Sequence, residues 1–520
     1  MQAELWREMN PSSGPELRLE DWQRLAPMSL VFLVIGGSLK FIKENLFMLA
    51  GAGAGFAFLD RLGLREFLLL GAFGVLAAVL SASVYHRRFR FRIEQDAIRV
   101  RRGLLEVKDL RIRFARVQNV GLNQPLYFRP FGLVRFQLET PGAESAEVEL
   151  PGIREDLAMA LRDRIAGYDG ASPSAPEANG AGALDPAAAR SYDSGERVHA
   201  PDGWRLFMHG LVSNQVWVIA GVAAWLFGTL EDRIETWIEK LGVEGLFEIF
   251  AGSGWLGVIA VLLALISAMF MLSGIIAWLR YQGFSLHLLG DRMVSRAGWA
   301  ERREQGIRRD KLTGLTVHQT ALGRILGQRY LIARQAKTTD HDVAASGAQF
   351  MVPGISKQDA GLVSVMMPGV AMPSEFRPVC RRFVFHYGSR LTALVLIAAA
   401  VIGWRTPDAG LALLVGGPAI LVLTLSLIYR RWRCWGWSSD GNVCWIQRGL
   451  LGLRQDVFAL SMVQQVRVVQ TPYFRRHGLM TLCFVLPQGE HTLPFVRLEE
   501  AARLANQVIY RTETAPFHRV

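Results

Sequence analysis

Two hydrophobic patterns alternate along the chain. The first is the uninterrupted apolar run: Phe67–Tyr85, Val212–Leu230, Trp255–Leu279, Leu391–Trp404 (read as starting near Phe385) and Ala409–Tyr429. Roughly 20 apolar residues cross about 30 Å of hydrocarbon, so these runs predict transmembrane helices. The second is strict alternation over short stretches, which predicts strands with one buried face. It begins at Phe89-Arg90-Phe91-Arg92-Ile93 and returns at Ile98–Arg101, Leu110–Phe114 and Val134–Glu139, with Val148 and Leu150 marking a last strand. Glu155–Ala166 then sets Leu157, Leu161 and Ile165 on one helical face. Leu498–Arg511 repeats that ending with Leu498, Ala501, Leu504 and Val508, and Ser356–Met367 is a weaker version.

The first apolar region is less regular. Met28–Leu59 is too long for one span and is broken by Lys40, Lys43 and Glu44. It reads as an interfacial helix, Met28–Ile42, followed by a crossing, Asn45–Leu59; a single tilted helix is the alternative. Pairing each crossing with the next gives six crossings in three hairpins.

A unit of hairpin, Arg-rich exit and β module recurs three times. Gly103, Gln124, Tyr127, Phe128, Arg129, Gly132 and Leu133 map by a shift of 346 onto Gly449, Gln470, Tyr473, Phe474, Arg475, Gly478 and Leu479. A shift of 195 reaches Gly298, Gln319, Arg324 and Gly327. Such gap-free self-similarity marks a repeat architecture. The expected organisation is an N-terminal segment (1–43), hairpin 1 (44–85), module 1 (86–166), a flexible Ala/Gly/Ser/Pro linker (167–203), hairpin 2 (204–279), module 2 (280–367), a linker (368–384), hairpin 3 (385–429), module 3 (430–512) and a tail (513–520).

Charge sets the expected orientation. Arg87, Arg88, Arg90, Arg92, Arg280, Arg381, Arg382, Arg430, Arg431 and Arg433 gather at the module ends of the runs. The tip Glu231–Phe250, which also reads as an amphipathic helix, is rich in acid. Basic residues stay on the cytoplasmic side, so the modules are expected on the cytoplasmic side of the membrane.

Composition narrows the function. Lys plus Arg number 58 against 46 Asp plus Glu, a formal net charge of +12, and 51% of residues are hydrophobic. A basic balance suits nucleic acid or an anionic membrane surface, and the apolar runs decide for the membrane: no nucleic acid partner is expected. The four cysteines, Cys380, Cys434, Cys444 and Cys483, form no CxxC or Cys/His cluster. No Walker A, HExxH or GxSxG motif is present. No catalytic residue, metal or cofactor is therefore expected.

The best candidates for a ligand surface are the basic exits Arg87, Arg88, Arg90, Arg92 and Arg430, Arg431, Arg433, with the polar steps Gln118, Asn119, Arg129 and Gln464, Gln465, Arg475. Arginine binds phosphate bidentately. The plainer readings are that the arginines fix topology or face solvent, and that amides such as Gln124 and Gln470 satisfy turn backbone.

The Val117-Gln118-Asn119-Val120 step, the Gln124-Pro125…Arg129…Gly132-Leu133 step and their third-copy counterparts Val463-Gln464-Gln465-Val466, Gln470, Arg475, Gly478 and Leu479 resemble the bacterial pleckstrin-homology-like, membrane-flanked family of the YdbT-like type. Module 2 departs from it, with Leu312-Thr313-Gly314-Leu315 at the first step. The resemblance implies small PH-like β-barrels, each capped by a C-terminal helix, in a multi-pass protein of a bacterial inner (plasma) membrane, and no settled activity. The expected function is a non-enzymatic membrane platform that binds anionic lipid head groups or a membrane or cytoplasmic protein partner. The alternative is a transporter or membrane enzyme with its site between the hairpins.

Overall fold

The computed structural model describes residues 21–30, 64–103, 107–117, 119–140, 148–170, 195–213, 255–299, 301–335, 350–405 and 410–514, with isolated positions 34, 216 and 220–221. The chain falls into two compact units, Met1–Gly195 with Ala300–Gly306 and Glu196–Trp299 with Ile307–Val520.

In the first unit, helix α1 (Leu64–Arg88) ends in His86, Arg87 and Arg88 and delivers the chain directly into β1 (Arg90–Ile93). Strands β2 (Ala97–Arg102) and β3 (Lys108–Arg113) complete an antiparallel sheet of order β1-β2-β3. The alternating residues behave as their pattern requires: Phe89, Phe91, Ile93, Ile98 and Val100 are buried in one core. Strands β4 (Asn119–Pro125), β5 (Leu133–Glu139) and β6 (Val148–Arg154) pair consecutively, and helix α2 (Glu155–Gly170) lays Leu157, Leu161 and Ile165 on the same core.

The second unit carries a third copy of this plan and, apart from most of its third strand, a second. The second copy has β7 (Glu196–His199), α3 (Gly203–Val212), α4 (Trp255–Tyr281), β8 (Ser285–Leu289), β9 (Arg292–Ala297), β10 (Glu301–Arg308), β11 (Leu312–Gln319), β12 (Arg329–Gln335) and β13 (Phe350–Ile355). The third has β14 (Arg377–Pro378), α5 (Arg382–Arg405), α6 (Gly410–Arg433), β15 (Gly436–Ser439), β16 (Val443–Gly449), β17 (Leu453–Ala459), β18 (Gln465–Val469), β19 (Leu479–Leu486), β20 (Gly489–Arg497) and the closing helix α7 (Leu498–Thr514). Ala501, Leu504 and Val508 of α7 are buried, while Leu498 stays exposed.

The expected six-crossing hairpin architecture is not what the structure shows. Among the described residues, two helices are long and apolar enough to cross a membrane, Trp255–Tyr281 and Arg382–Arg405. A run of apolar residues predicts a helix without showing what surrounds it. Ahead of the run from Val212, α3 is only ten residues long, about half the length a crossing requires. It packs on α4 instead: Ser273 Oγ donates to the Gly210 carbonyl over 2.7 Å, and a Cβ on Gly210 would stand 2.5 Å from the Ser273 carbonyl oxygen. The expected helix at 28–42, the crossing at 45–59, most of the run 212–230, the amphipathic tip 231–250 and most of the linker 167–203 lie outside the described residues. At the linker's two ends, α2 runs on to Gly170 and Glu196–His199 form a strand.

Separate barrels were also expected, and the sheets run on instead from one repeat to the next. In the second unit the sheet order is β13-β12-β11-β17-β16-β15-β14, so the fourth main strand of copy 2 pairs with the third of copy 3. Their register runs from Gly314 opposite Phe458 to Gln319 opposite Leu453. In the first unit β4 has β10 as its neighbour; the residues of β10 through Gly306 group with this unit, and Arg162 of α2 donates to Glu304 over 2.6 Å.

Each copy is also clamped by the segment that precedes its helices. Gln23 bridges to Phe91, and the Ala26 N–H donates to the Gly152 carbonyl over 3.3 Å. In copy 2, β7 pairs with β8, and His199 Nε2 donates to the Pro353 carbonyl over 3.2 Å. In copy 3, β14 pairs with β15, and the Cys380 N–H donates to the Phe495 carbonyl over 3.0 Å. One short segment thus ties the first and last main strands of each copy at the point where its helices begin.

Candidate functional site

The fingerprint residues turn out to serve the backbone. Gln124 Nε2 donates to the Leu133 carbonyl and Gln470 Nε2 to the Leu479 carbonyl, both over 3.3 Å. Gly132, Gly327 and Gly478 all hold the left-handed region, with φ of 59°, 68° and 60°, where only glycine escapes a Cβ penalty. Gly449 is needed for close approach: a Cβ there would stand 2.0 Å from the Gly452 carbonyl oxygen.

The expected ligand residues do not form one surface. Arg87, Arg88 and Arg90 are exposed where α1 meets β1. Arg92 is half-buried, donates to Glu94 over 2.5 Å and stands 5.4 Å above the Trp22 ring. Gln118 lies outside the described residues, Asn119 is buried in β4, and Arg129 is half-buried in the turn before Gly132. Gln464, Gln465 and Arg475 are exposed. Arg430, Arg431 and Arg433 are exposed on the last turn of α6 around the buried Trp432, whose indole N–H donates to the Val379 carbonyl over 2.8 Å.

Arg431 alone among them lies at a junction of cavities. One, of about 570 Å³, is formed by the end of α6, the β16–β17 turn and the ends of β11 and β12, and is lined by His318, Tyr330, Arg431, Trp435, Arg448 and Arg454 among others. The second, of about 410 Å³, lies between α5 and α6 and is lined by Phe383, Tyr387, Arg390, Leu391, Leu394, Ile428 and Arg431. A largely apolar cavity edged by three arginines and an apolar groove between two helices therefore share one guanidinium.

The arginine-edged cavity is well braced. The His318 ring stacks on Tyr330 with centroids 5.0 Å apart and planes 5° from parallel. Arg448 and Arg454 both reach Asp456, at 3.3 and 3.0 Å, and Thr316 donates to the same carboxylate over 2.8 Å. Burial alone would raise the Asp456 pKa; the hydrogen bond from His491 and the charges of Arg454, His491 and Arg448 outweigh it and hold the carboxyl far below its ordinary value. Arg431 stands 5.5 Å over the Trp435 ring. Three guanidiniums line this cavity, and Asp456 pairs with two of them, Arg448 and Arg454. The sequence signalled Arg431 through the basic exit. It gave no sign of His318, Tyr330, Arg448 or Arg454, whose convergence depends on the pairing of β11 with β17.

Among the described residues no three His, Cys, Asp or Glu side chains converge as a metal site would need. The four cysteines are free thiols; Cys444 is fully enclosed and burial pushes its pKa up to about 12.

Comparison with known proteins agrees with the repeat. The family model described as the bacterial PH domain matches three times, at residues 46–169, 239–363 and 382–512. A protein of Bacillus subtilis (strain 168) named UPF0699 transmembrane protein YdbT is 23% identical over 443 residues, covering 81% of this chain and 84% of that protein. No solved structure matches the chain. Together with its two apolar helices, this likeness makes the chain a membrane protein carrying PH-domain repeats.

Proposed function

We propose, since the chain belongs to the bacterial PH domain family, that it is a non-enzymatic, multi-pass protein of the bacterial plasma membrane whose three modules lie on the cytoplasmic side as a binding platform for anionic phospholipid head groups. The observation that carries this reading is Arg431, which lines both an arginine-edged cavity and an apolar groove between two helices. A head group and an acyl chain are covalently joined across just such a boundary. A phosphate suits Arg431, Arg448 and Arg454, because guanidinium offers paired donors to it. The apolar stretch Leu391, Leu394 and Ile428 suits a chain. Each basic residue near an anionic leaflet contributes about 1 kcal/mol, less as salt rises, so the exits at α1 and α6 add non-specific attraction to this site. The basic exits also support the cytoplasmic orientation.

The test is to extract the full chain with its surrounding lipid and identify what stays bound. Anionic phospholipid enriched over the bulk membrane is the expected result. A retained lipid composition equal to the bulk would reject the lipid reading and leave a protein partner as the platform's ligand. Reporter fusions after Ile165 and Val520 test the orientation; a periplasmic signal from either rejects it.

A further inference from the structure

Among the described residues, the repeat leaves open two strand edges that its own rule fills elsewhere. The fourth main strand of one copy pairs with the third main strand of the next: β4 with β10 in the first unit, β11 with β17 in the second. The last copy has a fourth strand, β18, at the edge of a sheet of order β18-β19-β20. The first copy has a third strand, β3, at the edge of the sheet β1-β2-β3.

Burial registers the difference. Val317 in the paired β11 is 5% exposed, whereas its counterpart Val468 in β18 is 47% exposed. Val469 beside it is 41% exposed. On the other strand, Val457 of β17 is buried and its counterpart Arg111 of β3 is exposed. An open edge with adjacent valines is a template for another strand.

We propose that β18 of one copy of this chain pairs antiparallel with β3 of a second copy, continuing the internal step from chain to chain. The occupant follows from continuity with the internal interface. Fourth strands are nearly uncharged: Asn119–Pro125 and Leu312–Gln319 contain no Asp, Glu, Lys or Arg, and Gln465–Val469 contains only Arg467. Third strands are charged whether or not they are paired: β10 reads Glu-Arg-Arg-Glu-Gln-Gly-Ile-Arg and still lies beside β4, so the charges of β3, Lys-Asp-Leu-Arg-Ile-Arg, do not mark it as a blocked edge. The β11–β17 register, shifted by 151 on one strand and by 346 on the other, sets Gln465 opposite Ile112, Arg467 opposite Leu110 and Val469 opposite Lys108. The contact is head-to-tail, so it closes as a ring or extends as a filament according to the rotation per step. It is independent of the lipid reading.

Two tagged forms of the full chain, one carrying Val469→Cys and the other Lys108→Cys, are mixed in membranes and oxidised. Opposed Cα atoms in an antiparallel pair stand about 4.5–5.5 Å apart, within disulfide reach. A band carrying both tags is expected, and Val469→Cys with Arg113→Cys, at the far end of β3, is expected to give none. In lipid discs the wild-type chain is expected to assemble, and the doubly substituted V468D/V469D chain to be a folded monomer that keeps a cooperative melting transition, because both valines are exposed in the single chain. A monomeric wild type, a cross-link equally strong in the mismatched pair, or assembly that survives the double substitution would overturn the proposal.

Discussion

The Cys380 N–H donates to the carbonyl of Phe495 over 3.0 Å, and Phe495 holds a φ of 57° that no other described non-glycine residue adopts. Its counterparts in the other copies, Gly152 and Gly354, have φ of 85° and 66° and sit in the same Pro-X-apolar step: Pro151-Gly152-Ile153, Pro353-Gly354-Ile355, Pro494-Phe495-Val496. The bulge in the last strand is thus a common seat for the clamping segment. The third copy tolerates the strained backbone because the Phe495 ring packs on Phe474 at 4.8 Å and on Phe383 of α5 at 5.3 Å.

The seats should rank by the space around them. Alanine at Gly152 meets both a left-handed backbone and Ser29 Cβ at 2.6 Å; Gly152→Ala is expected to cost about 3 kcal/mol, near the upper end for backbone strain. Gly132→Ala meets open space, and only the strain remains, about 1 kcal/mol. Denaturant melts of the two variants check the order; equal losses would mean that the clamp at Ser29 contributes nothing.

Asp456 holds the junction of copies 2 and 3 as a charge as well as through backbone pairing. It is almost fully buried among Arg448, Arg454, His491 and Thr316, its partner across the strand pair. Removing one member of a buried ion pair strands the other charges and costs about 3–5 kcal/mol. Asp456→Asn is expected to lower stability by that order, and Thr316→Val, which removes the bond to Asp456 and the one accepted from Arg334 Nε, by about 1.5–3 kcal/mol. Thermal melting of both variants makes the comparison, and similar small losses would show that the carboxylate is not the anchor.

Much of each module was legible because its signals are local. Alternation at Phe89–Ile93 fixes a buried face, Gly132 and its counterparts mark an obligatory left-handed turn, and Leu157, Leu161 and Ile165 share one helical face. Pairing between copies was not legible, because backbone hydrogen bonds along an edge leave little trace in side-chain type. The clamps escaped notice because they are very short; β14 is Arg377-Pro378 alone. Crossings are overcounted because apolar content marks a helix without showing what surrounds it: α1 and α6 coincide with expected crossings and are not among the two described helices long and apolar enough to cross. Of the candidate site only Arg431 was named, since its partners His318 and Tyr330 come from the preceding copy.

The clamp of copy 2 should respond to pH. Burial lowers the His199 pKa below its ordinary value, and the hydrogen bond to Pro353 and the nearby Asp359 offset this only in part. The folded state therefore takes up a proton less readily than the unfolded chain. As pH falls below about 6.5, the unfolded chain binds the extra proton first and stability declines until the lower folded pKa is reached. Melting temperature is expected to drop between pH 7.5 and 5.5, and His199→Gln to have a shallower slope. Identical slopes for the two proteins would remove His199 from the account.

The basic exit of α6 and the site make different predictions for two neighbouring arginines. Arg431 and Arg433 are both exposed on the last turn of α6, but only Arg431 lines the two cavities. If attraction to the leaflet is purely a matter of charge, reversing either costs the same, about 1 kcal/mol for each charge lost. If a phospholipid is seated with its phosphate on Arg431, Arg431→Glu also places a carboxylate against that phosphate. The R431E protein is then expected to lose its retained anionic phospholipid while R433E keeps most of it, and the difference should persist at 0.5 M salt because a partly buried pair is screened far less than an exposed one. Quantifying anionic phospholipid per protein after extraction reads this out. Equal retention by the two variants at both salt concentrations would reduce Arg431 to one charge among several on the exit of α6.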